Sequence, residues 1–329
     1  MGLAMATNIQ KHLTQHDSPP LKYWNRTLSR GDSLKDIGST PCSSIADLIQ
    51  NCDVIFISVS LYNIQHKPIS LTNHKVSDDT ALQSITNTIL SSGPLTSKTI
   101  IDTTTVHPTT TSTITNHFNS SGASYIAAPV FGATPLAQAG RLLIAVAGPA
   151  SAIDPILPFL QDVIARAVIR VGDEPSQALL LKTTSNFITA GLMLLLSEAH
   201  VLAEKSGLSA SVLESLIGEN FGAYAHGMSK RLTSGSYFPV EGQTPSSGLE
   251  LGIKDVGHGV SLARGKGMEL RIGEMYLGAA EEAKAYGDEK GRRCDSSAVF
   301  GAVRRRAGLE FEADGVKERD AEIEEERKK

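Results

Sequence analysis

Lys182 sits where a lysine is expensive. It lies between Leu179-Leu180-Leu181 and Phe187-Ile188, inside an apolar stretch that reads as one long helix from Gln177 to Ser206. A charge among apolar neighbours raises the free energy unless it is paired or used. Asn186 follows at i+4, which puts both polar groups on one helical face. A lysine poised below its ordinary value can exchange a proton with a hydroxyl, and a neighbouring amide can orient either partner. The plainer role is structural, with the stem buried and the ammonium reaching for water. A second charged pair, Lys254-Asp255, lies in Leu251-Gly252-Ile253-Lys254-Asp255-Val256. As an adjacent surface ion pair it contributes little. Its interest lies in its helical setting and its order after the first motif.

The elements that must position these groups fall into two kinds. The first half alternates strand and helix. Leu21–Trp24 reads as a short strand, and Asp53–Val59 as a β-branched run of the kind buried on both faces. Lys98–Asp102, Ser124–Val130 and Leu142–Gly148 follow, with helices such as 44–50 and 108–119 between them. The pattern predicts an α/β fold, a Rossmann-like doubly wound parallel sheet with helices on both faces. From Pro175 onward the sequence shows only helices, near 177–206, 209–217, 248–264, 273–286 and 296–307. The predicted domains are therefore 1–172, an all-α domain 173–309 for substrate binding and dimerisation, and a charged tail 310–329, disordered or a solvated helix end.

Two segments break this plan. Residues 61–77 have neither helical nor strand period and are flanked by Val59-Ser60 and Val76-Ser77. Removing them would join Ser60 to Asp78 and restore a short strand-to-helix loop with an acidic helix start. They read as an insertion, of the sort a retained short intron would encode. The opening Met1-Gly2-Leu3-Ala4 reads as a helix entered from a Gly-rich loop, whose strand and first two glycines would come before it. On this reading the first strand is missing and cofactor binding is weakened.

The ordered motifs resemble those of the β-hydroxyacid dehydrogenases: 3-hydroxyisobutyrate dehydrogenase, glyoxylate and succinic semialdehyde reductases, and the NADP-binding domain of 6-phosphogluconate dehydrogenase. The resemblance runs from Gly2 to about Ala307. It implies an oxidoreductase that moves a hydride between NAD(P) and a short hydroxy acid or its semialdehyde. Lys182 would then exchange the hydroxyl proton and Asn186 would orient it. The substrate loop would be Val130, Phe131 and Gly132 in Ala127-Ala128-Pro129-Val130-Phe131-Gly132-Ala133, where the family's common form is acidic-Ala-Pro-Val-Ser-Gly-Gly. Cofactor contacts would fall at Gly2, Val59, Ser60, Thr105 and Lys254, with Asp255 helping to position Lys254. Asn25, Arg26 and Thr27 would follow the second strand, where a guanidinium in place of an acid favours NADP over NAD through the 2′-phosphate. The alternative is a catalytically impaired member that binds nucleotide weakly or acts through protein contacts.

Composition limits the partners. The net charge of −4 provides no electrostatic footprint for nucleic acid. Cys42, Cys52 and Cys294 are too scattered for a metal site or a disulfide framework. No apolar run reads as long enough to span a bilayer, and no secretory signal opens the chain. The expectation is a cytoplasmic homo-oligomer acting on a small molecule, without membrane or nucleic acid. A mitochondrial location would apply if a leader preceded Met1.

Overall fold

The computed structural model describes residues 1–59 and 78–328. Ser60 and the expected insertion at 61–77 fall outside the described residues. The chain divides into two compact units, Met1–Lys182 and Thr183–Lys329.

The first unit carries strands β1 (Lys22–Tyr23), β2 (Thr40–Pro41), β3 (Val54–Ile57), β4 (Thr99–Asp102), β5 (Ser124–Ala127), β6 (Val130–Phe131), β7 (Leu142–Ala147) and β8 (Ala165–Gly172). Its helices are α1 (Gly2–Gln15), α2 (Asp32–Lys35), α3 (Ile45–Asn51), α4 (Asp78–Leu90), α5 (Pro108–Ser120), α6 (Thr134–Gln138), α7 (Ala150–Ile153) and α8 (Leu157–Leu160). β3, β4 and β5 are parallel, with Ile55 opposite Ile100 and Ile100 opposite Tyr125. Alternate residues then serve opposite faces. Ile100, Tyr125 and Ala145 join one apolar cluster, while Ile101, Ile126 and Ile144 join another with Met5 and Ile9 of α1. Burial on both faces is what the β-branched runs predicted.

The sheet is mixed rather than wholly parallel. β7 runs antiparallel to β5 and to β6, and β8 pairs parallel with β7. The stretch Ser124–Val130, expected as one strand, is split at Ala128-Pro129, since proline has no N–H to give to the ladder. β8 was not foreseen, because Arg166 and Arg170 interrupt its apolar run; such charges suit an edge strand. β1 and β2 pair parallel in a separate two-stranded sheet. Among the described residues β3 has β4 on one side and no strand on the other.

The second unit holds most of α9 (Pro175–Lys205), then α10 (Ala210–Thr233), α11 (Leu249–Gly265), α12 (Arg271–Glu289), α13 (Val299–Arg306) and α14 (Asp314–Lys328). The compact division falls inside α9 rather than at 172/173. Ala178 and Leu179, in the first turns of α9, pack into the apolar cluster of Ile100 and Tyr125. Contrary to the sequence expectation, α9 is long and apolar enough to cross a membrane by length and composition. Its Ala190, Met193, Leu194 and Leu196 are buried in the second unit's core. α10 runs well past the expected 217, broken only by a left-handed Gly222.

The tail, expected as disordered or a solvated helix end, carries α14 among the described residues: Phe311 and Val316 are buried, and Arg319 donates to the carbonyls of Gly235 and Phe238. A few apolar and guanidinium groups dock a segment whose overall composition is that of a solvated helix.

Candidate active site

The carboxyl ends of β3, β4 and β5 are bound together by one buried network. Asp102, the last residue of β4, is fully buried. Its Oδ2 accepts from the Tyr125 hydroxyl at 2.7 Å, and its Oδ1 accepts from the Thr104 N–H at 2.9 Å. Thr104 Oγ1 in turn accepts from the Val59 N–H at 3.2 Å, and the Thr103 hydroxyl donates to the Ile57 carbonyl at 2.9 Å. Burial pushes the Asp102 carboxyl up to about 6, against the opposing pull of the donors from Thr104 and Tyr125. Burial also raises the Tyr125 phenol well above its ordinary value, and the neighbouring Asp102 carboxylate adds to the effect. The network fixes the backbone on which two predicted contacts, Val59 and Thr105, sit.

Asp102, Thr104 and Tyr125 were not among the predicted site residues. The available signal was an acid closing an apolar strand, with a tyrosine on the next strand two residues before its register partner Ala127. His107, read as a loop residue, caps α5: its Nδ1 accepts from the Thr109 N–H. The His107 N–H donates to Asp79 Oδ1 at 2.9 Å, tying the start of α5 to the start of α4.

Gly2 opens α1 beside the end of β3. A Cβ there would stand 3.1 Å from Ser58 Oγ, so glycine permits this approach of helix to strand end. At the end of β1, Asn25 Oδ1 accepts from the Thr27 N–H at 2.9 Å. This side-chain turn sets exposed Arg26 at its centre.

The predicted substrate loop meets the predicted proton-handling lysine. Val130 and Phe131 form β6, and Gly132 follows with φ +130°. A Cβ on Gly132 would lie 3.0 Å from Leu136 Cδ1 and from Leu142 Cδ2, so both backbone angle and space require glycine. Lys182 Nζ lies over the Phe131 ring, 4.7 Å from its centroid.

In the second unit the other two motif residues are joined through one carboxylate. Asn186 Nδ2 donates to Asp255 Oδ2 at 2.8 Å, and Lys254 Nζ lies 3.1 Å from Asp255 Oδ1. Both charged side chains are largely buried, at 12% and 18% exposure, so this is no loose surface pair. Asp255 therefore connects two sequence motifs nearly seventy residues apart. Lys182 and Asn186 remain one turn apart on α9.

The model of the NAD binding domain of 6-phosphogluconate dehydrogenase matches residues 1–172. The chain belongs to this family. It is 26% identical over 314 residues to the NADH-dependent oxidoreductase ucdB of Aspergillus ustus, covering 94% of this chain and 98% of that one. It is 27% identical over 303 residues to glyoxylate/succinic semialdehyde reductase 1 of Arabidopsis thaliana, covering 88% and 96%. Its fold is similar to that of Mycobacterium tuberculosis 3-hydroxyisobutyrate dehydrogenase, solved with L-serine, at TM-score 0.73, 19% identity and 92% and 96% coverage. The chain is an NAD(P)-dependent oxidoreductase. Its residues fit such a cofactor at two places: the Gly2–Ser58 approach beside a helix start, and the hydroxyl-rich strand ends at Val59 and Thr103–Thr105. Among the described residues no cluster of His, Cys, Asp and Glu could hold a metal ion.

Asp102 generates a pH prediction. A carboxyl raised to about 6 binds its proton more tightly in the folded chain than in the unfolded one. Its contribution to stability is therefore greatest at acid pH, declines as pH rises from about 4 to about 6, and is level above that. The decline should amount to about 3 kcal/mol. Asp102→Asn keeps an acceptor for the Thr104 N–H and removes the titration. In urea unfolding at a series of pH values, the gap between variant and parent should open across this window. Parallel curves would show that Asp102 carries its charge at no unusual cost.

Proposed function

We propose that this enzyme interconverts a short hydroxy acid and its semialdehyde or keto form, with NADP preferred to NAD. The observation that carries the reading is the Lys182 ammonium over Phe131, which joins the proton-handling motif to the substrate loop. The semialdehyde class is supported by the activity named for the Arabidopsis relative. Bound cofactor supplies or takes up the hydride at nicotinamide, and the protein supplies orientation and the proton. Lys182 gives its Nζ proton to the carbonyl oxygen in reduction and takes the hydroxyl proton in oxidation. Asn186 is held by Asp255 and orients its neighbours on α9. The backbone around Gly132 receives the substrate carboxylate, and Lys254, paired with Asp255, serves the cofactor.

Lys182→Ala should lower kcat by about 10²–10⁴-fold, the usual worth of a positioned general acid, with little change in NADPH affinity. Lys182→Arg should fail as well, because a guanidinium does not exchange its proton near neutral pH. Lys254→Ala should weaken NADPH binding instead. Fluorescence titration of NADPH beside steady-state rates separates the two, and a Lys182→Ala enzyme that keeps most of its rate would sink the assignment.

The NADP preference rests on Arg26, exposed at the end of β1. Arg26→Ala should weaken NADPH binding by about tenfold or more, the scale of a lost charge-assisted hydrogen bond, and leave NADH nearly unaffected. Equal losses for the two dinucleotides would place Arg26 away from the 2′-phosphate.

A homo-oligomer is proposed from α9. Ile188, Leu195 and Leu202 stand at seven-residue intervals and are 62%, 61% and 68% exposed. Apolar residues at this spacing make a seam for another helix, and such a line on a surface calls for cover. A second copy of the chain is the cover proposed. Leu195→Glu should move the protein toward monomer in sedimentation velocity at constant concentration, and an unchanged sedimentation coefficient would remove this face from the interface.

A further inference from the structure

We propose that Phe131 is a positioning residue for the reaction, its ring face seating the ammonium of Lys182. This rests on the reading of Lys182 as the proton-transfer residue. The geometry is a cation 4.7 Å from a ring centroid, within the range in which the ring's negative face attracts it. The ring itself is fixed. Phe131 is the second residue of β6, opposite Leu143 of β7, and it packs against the apolar cluster that contains Ala145 and Leu179. The next residue, Gly132, has φ +130°, and a Cβ there would press on Leu136 and Leu142, so a side chain is disfavoured beside the ring. A half-buried ring on a paired strand is thus a rigid seat for a flexible side chain.

The chemistry suits the task. Lysine loses rotamer freedom when its head is fixed. A carboxylate partner would fix it, but would also compete for the proton. An aromatic face attracts the cation and has no lone pair with which to take the proton. The ring thus holds the nitrogen in place without itself taking the proton. Lys254, whose proposed role needs only a lasting positive charge, is held by the carboxylate of Asp255 at 3.1 Å.

The test uses the full chain with NADPH and succinic semialdehyde. Phe131→Leu keeps apolar volume and removes the ring face; kcat should fall about threefold to thirtyfold, the rate equivalent of a cation–π contact. NADPH affinity, measured by fluorescence titration, should be unchanged. Phe131→Tyr retains the face and should recover most of what Leu loses, which a role in volume filling alone would not explain. Independently of turnover, the methyl protons of reductively dimethylated Lys182 should resonate upfield through the ring current, identified by their absence in Lys182→Arg, and move downfield in Phe131→Leu. If Lys182→Ala is inactive while Phe131→Leu keeps its kcat, the seating role falls and the proton-transfer reading stands. If Lys182→Ala keeps its rate, the reading of Lys182 falls first. Equal losses in the Leu and Tyr variants, or a change in NADPH affinity with Leu, would also overturn the seat.

Discussion

The buried carboxylate of Asp102 is the constraint around which the nucleotide side of this enzyme is arranged. An isolated charge at that depth would be prohibitive, and a neutral acid with unmet partners nearly so. Tyr125 from β5 and the Thr104 N–H from the turn after β4 both point at it. Because Thr104 is held in this way, its hydroxyl is available to the Val59 N–H at the end of β3. One side chain thereby sets the relative height of three strand ends, where a doubly wound sheet binds its ligand. The hydroxyls after β4 that resemble cofactor contacts are consequently held by hydrogen bonds within the chain itself. Desolvation of this buried carboxyl outweighs the pull of these donors and raises it.

A different constraint governs α9. Its sequence is apolar on nearly every face, so periodicity fixes its length and says little about which side is covered. Its first turns enter the core that holds Tyr125, and Ala190, Met193 and Leu194 enter the helical core. A helix whose first turns serve one core and whose later turns serve another is apolar over most of its length. Lys182 and Asn186 occur between these stretches. Their position follows from the change of partner along the helix, and they sit where the chain can carry polar groups without spoiling either core.

β3, β4 and β5 were visible in the sequence because strands buried on both faces must be β-branched and apolar throughout. The motif residues were visible because polar groups in apolar stretches are rare enough to need a reason. The edge strand β8 was hidden because its exposed arginines obey no core pattern, and the break at Pro129 was hidden because the residues on both sides suit a strand. Tail docking depends on a few residues, Phe311, Val316 and Arg319, against a charged background that composition averages away. Asp102 was legible as a strand end, but its significance was not, since its partner Tyr125 comes from a neighbouring strand 23 residues on.

Phe131 illustrates how a departure from a family pattern can carry information. Against the common serine of the substrate loop, a phenylalanine reads first as a loss: one hydroxyl fewer and a bulkier side chain. Its ring faces the ammonium of Lys182, and so exchanges hydrogen bonding for a non-basic attraction. The exchange has two physical consequences. The ring restrains the lysine without itself accepting a proton, and on the proposed reading the substrate would meet an apolar wall there. A site of this kind should discriminate less by hydrogen bonds to a carboxylate and more by the shape of the group beside the carbonyl. Discrimination by shape alone is modest, about 1–3 kcal/mol for a methylene in an apolar pocket. If Lys182 is the proton-transfer residue proposed above, breadth toward small apolar substituents is the expected consequence of placing an aromatic ring under it.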